Sequence, residues 1–295
     1  MIVSKVVDTN LIDLHSHTHS SDGSATPREL ITLAASAGAR AVAITDHDTL
    51  DGLAEGRTAA QDAGIEFVAG VEISADFQPG TMHILGYLVD EWSKDLNSAL
   101  ERLRTARRER NPRIAGRLQE LGLDISYDEV ASLAGNKVVG RPHFASLMVR
   151  KGYVATIKEA FDRFLAKGAP AYVEKERLSP ADSIGLIKSA GGVAVLAHPY
   201  QLKLTDQDTE DEIRRLKDLG LDGIEAIYSR HSTEERERYS RLARRLGLLI
   251  TGGSDFHGTF KPDISLVTGL GDLQVPYELL DQIKSTAASR SAPGN

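Results

Sequence analysis

A short segment near the amino terminus, LIDLHSHTHSSDGS at 11–24, contains three histidines at alternate positions, followed by an aspartate. In a β-strand alternate side chains point to one face, so His15 and His17 would project together, with His19 beyond them and Asp22 close behind. Paired imidazoles are suitable ligands for a metal ion and are costly in an ordinary apolar core. The alternative is a solvated loop rich in histidine, and the segment alone favours neither interpretation.

Further histidines and carboxylates stand at the ends of short apolar runs elsewhere in the chain, as in AVAITDHD, FVAGVEIS, MHILGY, VAVLAHP and LLITGGSDFH. Taken singly, each has an ordinary interpretation. Asp22 before Gly23 suits a turn, and Asp46 or Asp48 suits the N-cap of a following helix. Chance is a poor explanation for at least six of nine histidines at such positions. The candidate metal ligands are His15, His17, Asp22, His47, Glu72, His83, His198, Asp255 and His257.

The chemistry of this set follows from its donor atoms. The chain has no cysteine, so disulfides, thiolate ligands and thiol catalysis are excluded. Nine imidazole and carboxylate ligands are enough for two or three divalent ions, and the mixture suits Mn, Fe or Zn. Glu72 or Asp255 could bridge two ions and hold a metal-bridging hydroxide as nucleophile. The natural reaction of such a centre is hydrolysis of a phosphate ester.

The elements that must position these residues recur as a unit of amphipathic stretch, glycine and apolar run. LITLAASAGAR precedes AVAITDHD, for example, and YSRLARRLG precedes LLITGGSDFH. Glycine directly after a helix is typical of a C-terminal cap, and the apolar runs resemble buried parallel strands. Five such units, with LIDLHSH and MHILGYLV, predict an α/β fold with about seven strands, either a doubly wound sheet or a barrel. No G-x-G-x-x-G motif follows the first strand, which disfavours a dinucleotide-binding sheet. In a barrel the strand ends meet at one mouth.

The middle of the chain does not contain this repeating unit. Residues 92–185 contain helical patterns without an obvious buried strand, so they predict a helical insertion that caps the substrate site. The barrel would then comprise residues 1–91 and 186–285, with a flexible tail at 286–295.

The insertion also carries candidates for substrate binding. Phosphate recognition favours arginine, whose planar fork binds two oxygens at once. Arg107 and Arg110 are three residues apart on one helix face, and Arg141 lies beside His143, a possible acid for the leaving group. A solvated helix surface explains most of the arginines at 102–113 equally well.

The composition excludes several classes of binding partner. A net charge of −7 argues against a protein that coats nucleic acid or a membrane surface, and no apolar run is long enough to span a membrane. We therefore expect a cytoplasmic enzyme for a small phosphorylated substrate, acting neither on duplex DNA nor with an obligatory protein partner.

The motifs DLHSHTHSSDG, AITDHDT, GVEIS, HILGY, LAHP and GSDFH, in this order, resemble the polymerase-and-histidinol-phosphatase (PHP) superfamily of metal-dependent phosphoesterases. The resemblance implies a distorted (β/α)7 barrel with a helical insertion domain and a trinuclear metal site built from the nine candidates above, without His19.

GRPHFASLMV and FLAKGAPAYVEKE further resemble stand-alone bacterial phosphoesterases that act on nucleotides. That subgroup implies removal of the 3′-phosphate from nucleoside 3′,5′-bisphosphates, or 5′-to-3′ trimming of short RNA. Alternatives are a histidinol-phosphatase-like enzyme, a C–N-cleaving amidohydrolase and a metal-stabilised accessory module. The amidohydrolase is disfavoured because no metal-bridging lysine is evident, since Lys188, Lys203 and Lys217 do not stand at strand ends. The accessory module is disfavoured because all nine metal-ligand positions are filled.

Overall fold

The computed structural model describes residues 10–135, 139–174 and 176–291. Seven strands form one sheet in the order β1 to β7. The strands are β1 (Ile12–Asp13), β2 (Ala41–Ile44), β3 (Glu66–Ala75), β4 (Met82–Tyr87), β5 (Val193–Leu196), β6 (Gly223–Tyr228) and β7 (Leu249–Gly253). The helices are α1 (Pro27–Ser36), α2 (Leu53–Ala63), α3 (Lys94–Glu120), α4 (Tyr127–Ala134), α5 (Arg141–Arg150), α6 (Ile157–Ala160), α7 (Pro180–Ser189), α8 (Asp206–Asp218), α9 (Thr233–Leu246) and α10 (Glu278–Ser291).

The first and last strands meet, so the sheet closes into a barrel. Leu14 N donates to Gly252 O at 3.2 Å, and Asp255 N donates to His15 O at 2.8 Å. Ser16 and Phe256 continue this contact as a parallel bridge. The expected α/β class and distorted seven-stranded barrel are confirmed.

Strand β4 is the source of the distortion. It pairs antiparallel with both β3 and β5, whereas the other neighbouring strands pair parallel. Only residues 76–81 separate β3 from β4, and a parallel return needs a dozen residues or more. MHILGYLV was expected to be one more parallel strand, and the short connection explains why β4 is antiparallel instead. The reversal brings the start of β4, which carries His83, to the same barrel end as the carboxyl ends of the parallel strands.

Apolar side chains from every strand fill the interior of the barrel, apart from the end of the barrel where the candidate metal ligands lie. Ile12, Leu14, Val68, Leu85 and Val195 are fully buried there, beneath α10. A second apolar layer joins α1 and α2 to the outer face of β2. The predicted helix-ending glycines all have positive φ, and at Gly64 and Gly247 this left-handed residue closes α2 and α9.

The chain divides into two compact units. The barrel unit comprises residues 1–99 and 178–295, and the second unit comprises residues 100–177. The second unit contains most of α3 together with α4, α5 and α6, and has its own apolar core around Ile114, Leu118 and Phe144. Helix α7, placed partly in the insertion by the sequence-based boundary at 185, belongs to the barrel unit.

The carboxyl-terminal segment differs from the expected flexible tail. Helix α10 continues to Ser291, while residues 292–295 lie outside the described residues. The helix is held late in its length because the Arg290 guanidinium donates to the Asp222 carboxylate and to Gly192 O. The sequence suggested a tail because these partners are distant in the chain.

Among the described residues, no helix is long and apolar enough to cross a membrane.

Candidate metal centre

The structure brings all nine candidate ligands to one end of the barrel. Their donor atoms fall into four overlapping groups, and within each group the atoms lie within 4.8 Å of one another. The groups are His17, Asp22, His47 and His257; His15, Glu72 and His198; His15, His17 and Asp255; and His47, Glu72 and His83. His19 belongs to none of these groups.

The candidates reach this end from six segments of the chain. His15 and His17 follow β1, His47 follows β2, and His198 and Asp255 follow β5 and β7. The last two hold unusual backbone angles, with φ of 26° at His198 and 57° at Asp255. Positive φ is strained for residues other than glycine and is common where a chain must aim a functional side chain.

Glu72 stands at the centre of the site and is buried. Its Oε2 lies 3.1 Å from His17 Nε2 and 3.1 Å from His47 Nδ1. Its Oε1 lies 2.9 Å from His83 Nδ1 and 3.0 Å from His198 Nε2. Each carboxylate oxygen therefore faces a different set of imidazoles, which is the arrangement a bridging ligand requires.

Asp255 is arranged differently. Its Oδ1 lies 3.4 Å from both His17 Nε2 and His257 Nδ1. Its Oδ2 accepts a hydrogen bond from Tyr228 Oη at 2.7 Å and pairs with Lys261 Nζ at 2.6 Å. Only one oxygen of Asp255 faces the imidazoles, so Asp255 would hold a metal ion through Oδ1, whereas Glu72 presents both of its oxygens.

Sequence reasoning missed a layer of carboxylates behind the candidate ligands. Glu225, fully buried on β6, lies with Oε1 2.8 Å from His15 Nδ1, and its Oε2 accepts from His198 N at 2.9 Å. Asp13 accepts from Ser254 N at 2.9 Å. A carboxylate that binds the second nitrogen of a ligating imidazole fixes the ring orientation. The available signal was a charged residue inside an apolar strand, as in GIEAIY.

Asp46 and Asp48 are not helix caps. Helix α2 begins only after Gly52, and no side chain caps it. Asp46 is buried and accepts from Thr18 N at 2.8 Å and from Ser21 Oγ at 2.5 Å. Asp48 accepts from Ser74 N at 3.0 Å. Four further residues separate Asp48 from the first turn of α2, so neither aspartate caps that helix. Both aspartates instead hold the loops of the site through these hydrogen bonds.

Burial and the neighbouring charged groups shift the pKa values of the histidines in the site. Burial alone would lower the pKa of His15, but Glu225, Glu72 and Asp255 outweigh it and raise that pKa well above its usual value. Burial also opposes protonation of His17, yet Asp255 and Glu72 raise its pKa to about 9.

His47 behaves in the opposite way, since burial lowers its pKa to about 3 despite the attraction of Glu72 and Asp22. Burial would raise the pKa of Glu72, but the neighbouring imidazoles, led by His47, hold it well below its usual value.

These residues suit divalent metal ions. Six imidazoles and three carboxylates converge, and His47 Nδ1, which faces Glu72 Oε2 at 3.1 Å, is buried without a hydrogen-bond partner among the described residues. A buried, unpaired imidazole nitrogen is costly in an ordinary core and is explained by a ligand.

A match to a known protein family identifies the family of this chain. Residues 13–225 match the PHP domain family. The chain belongs to the PHP family. It is a hydrolase of phosphate esters that depends on divalent metal ions, and its imidazole and carboxylate cluster could hold such ions.

Two similar proteins match most of the chain. A 3′,5′-nucleoside bisphosphate phosphatase of Chromobacterium violaceum is 36% identical over 247 residues, which are 83% of this chain and 87% of that protein. A 5′-3′ exoribonuclease of Haemophilus influenzae is 34% identical over 249 residues, which are 84% of this chain and 90% of that protein.

Two solved structures resemble this chain in both fold and sequence. One, described as a metal-dependent phosphoesterase from Bifidobacterium adolescentis, is 33% identical, with a TM-score of 0.79 over 93% of this chain and 95% of its own. Another, described as an amidohydrolase from Chromobacterium violaceum with bound sulfate, is 33% identical, with a TM-score of 0.80 over 93% of this chain and 96% of its own.

The remaining candidates of this PHP protein lie in its second unit. Arg110 is buried, and its Nη2 donates to Asn111 Oδ1 at 3.1 Å, while its Nε has no partner among the described residues. Burial, with Arg107, Arg141 and Arg177 nearby, lowers the pKa of Arg110 to about 10. Binding of an anion would offset the repulsion among these positive charges.

Arg141 and His143 also have local roles. Arg141 Nη1 donates to Leu165 O at 3.0 Å, and its guanidinium lies 5.2 Å from the centre of the Tyr172 ring. His143 Nδ1 accepts from Gly140 N at 3.0 Å at the start of α5. Elsewhere on α3, Arg102 pairs with Glu176 and Arg108 with Glu101 at half-exposed positions, as the alternative of a solvated helix surface predicts.

Proposed function

We propose that this PHP enzyme is a phosphatase of small nucleotides, which removes the 3′-phosphate from nucleoside 3′,5′-bisphosphates or acts on the ends of short RNA. The observation that carries this proposal is the buried cluster centred on Glu72, whose two oxygens face separate sets of imidazoles. The names of the Chromobacterium violaceum phosphatase and the Haemophilus influenzae exoribonuclease support the substrate class.

Two or three divalent ions, of Mn, Fe or Zn, would be held by the four groups of donor atoms described above. When bound, such ions supply Lewis acidity and activate water for attack on phosphorus. Glu72 and Asp255 would hold the hydroxide nucleophile, as the sequence predicts. The chain's own contribution is to hold Glu72 between two imidazole sets and to aim Asp255 Oδ1 at His17 and His257.

The second phosphate of a bisphosphate would bind to Arg107, Arg110 and Arg141. The support is the buried Arg110 guanidinium, which carries an unpaired Nε beside further arginines. A phosphate dianion accepts several charge-assisted hydrogen bonds and offsets the repulsion among these groups.

His143 is the proposed acid for the leaving group. Its Nδ1 is occupied as an acceptor for Gly140 N, so the proton would be donated from Nε2. Cytoplasmic location, the exclusion of duplex DNA and action without an obligatory protein partner remain predictions from composition.

A substrate panel tests the proposal. We expect the metal-loaded enzyme to hydrolyse nucleoside 3′,5′-bisphosphate or short 5′-phosphorylated RNA with a higher kcat/KM than histidinol phosphate or an N-acyl compound. Preference for histidinol phosphate would replace the nucleotide assignment. Preference for the N-acyl compound would favour the amidohydrolase alternative, to which the description of one similar structure points.

A further inference from the structure

Lys261 is a cation that contacts the candidate metal centre and was absent from the sequence-based set. It follows the 3-10 turn Gly258–Phe260 after β7, and its side chain is 30% exposed. Its Nζ lies 2.6 Å from Asp255 Oδ2. Among the described lysines and arginines, it alone forms an ion pair with one of the nine candidates.

The backbone holds Lys261 in this position from both sides. Lys261 N donates to Gly258 O at 3.1 Å, and Ile264 N donates to Lys261 O at 3.0 Å. The backbone of Lys261 is thus fixed in a hydrogen-bonded turn, and the contact with Asp255 orients its ammonium.

Asp255 does not need this lysine in order to satisfy its hydrogen bonds. Tyr228 already donates to Oδ2 at 2.7 Å, and Oδ1 faces His17 and His257. The Lys261 ammonium has three donors, and Asp255 is its one acceptor among the described residues. The ammonium lies beside a centre for divalent cations and contacts only one carboxylate among the described residues, so a further anion would offset the repulsion between like charges there.

We propose that Lys261 is a ligand of the substrate's phosphoryl group and donates from Nζ to an oxygen of the phosphate that the metal centre attacks. This inference rests on the proposed phosphatase function. A phosphate dianion supplies both the acceptors that the ammonium lacks and the negative charge that offsets its position.

The test measures binding of inorganic phosphate to the metal-loaded enzyme by isothermal titration calorimetry, together with kcat/KM for a nucleoside bisphosphate. Lys261→Met should weaken phosphate binding and lower kcat/KM by about 10- to 100-fold, the usual range for losing a hydrogen bond to a charged group. Lys261→Arg, which keeps the charge, should retain phosphate binding within several-fold.

Lys188→Met is the matched control. Lys188 is similarly exposed, at 33%, and also pairs with a carboxylate, Asp222, at 3.6 Å, but at the opposite end of the barrel. Its phosphate affinity should stay within twofold of wild type.

Unchanged phosphate affinity in Lys261→Met, with full metal content, would overturn the inference and leave Lys261 as a structural partner of Asp255. If the Met variant does not fold, Lys261→Gln is compared with Lys261→Arg, and equal phosphate affinities count against the inference. A wild-type enzyme that binds phosphate through Lys261 but hydrolyses no phosphate ester would contradict the proposed function alone.

Discussion

At the scale of single residues, the centre depends on which imidazoles carry protons before metal binds. Metal ions bind the neutral imidazole, so a proton held by His17, with its pKa of about 9, must leave at neutral pH. His47, with its pKa of about 3, is already neutral there.

We therefore predict that metal binding at pH 7 releases at least one proton. The sign follows from the raised pKa of His17: as pH falls below about 9, protons compete more strongly and apparent metal affinity decreases, by about tenfold per pH unit for each proton released. Calorimetric titrations of Mn or Zn in buffers of different ionisation enthalpy measure this release. Binding enthalpy independent of the buffer would contradict the prediction.

Glu225 tests the layer behind the ligands. Glu225→Gln keeps the size of the side chain but removes the charge that holds His15 Nδ1, so we predict a 10- to 100-fold loss of metal affinity, measured by chelator competition. Glu66→Gln is the control, because Glu66 pairs with Lys284 at the opposite end of the barrel. Equal metal affinity of the two variants would show that Glu225 does not position His15.

At the scale of elements, the site requires a close approach between β1 and β7. A Cβ on Gly253 would meet His15 N and His15 Cβ at 2.4 Å. The two segments carry His15 and Asp255, so any separation of the strands also separates ligands.

Gly253→Ala should therefore destabilise the fold by about 1–3 kcal/mol, through overpacking, and should lower metal affinity as well. Urea unfolding measures the first effect and chelator competition the second. Gly185→Ala, in α7 with open space around it, should instead stabilise the protein by about 0.5–1 kcal/mol. Wild-type stability and metal binding in Gly253→Ala would show that the strands can separate without cost.

Elements also differed in how well the sequence revealed them. Apolar runs ending in His or Asp predicted the strands, since a buried strand must be apolar along its whole length. The antiparallel direction of β4 was not predicted, because direction depends on the six residues of its connection rather than on its own pattern. The last turns of α10 were missed because contacts with Asp222 and Gly192 hold them.

At the scale of the whole molecule, the chain consists of a barrel unit and a second helical unit, each with its own apolar core. The barrel unit carries all nine candidate ligands, and the second unit carries the arginines proposed for the second phosphate. The chemistry and the proposed selectivity thus belong to separately packed parts of the chain, and substitutions of Arg110 should alter substrate preference more than metal content.

The α/β class and the nine candidate ligands were predicted from residue types in and after short apolar runs, and the family was predicted from the resemblance of the motifs. Glu72 was expected at the tip of its strand but lies inside β3. Tertiary structure decided what each candidate contacts. Glu72 uses both oxygens toward imidazoles, while Asp255 gives one of its oxygens to Tyr228 and Lys261. The physical reason is that barrel closure joins residues more than 200 positions apart, such as His15 and Glu225, and no local pattern encodes those distances.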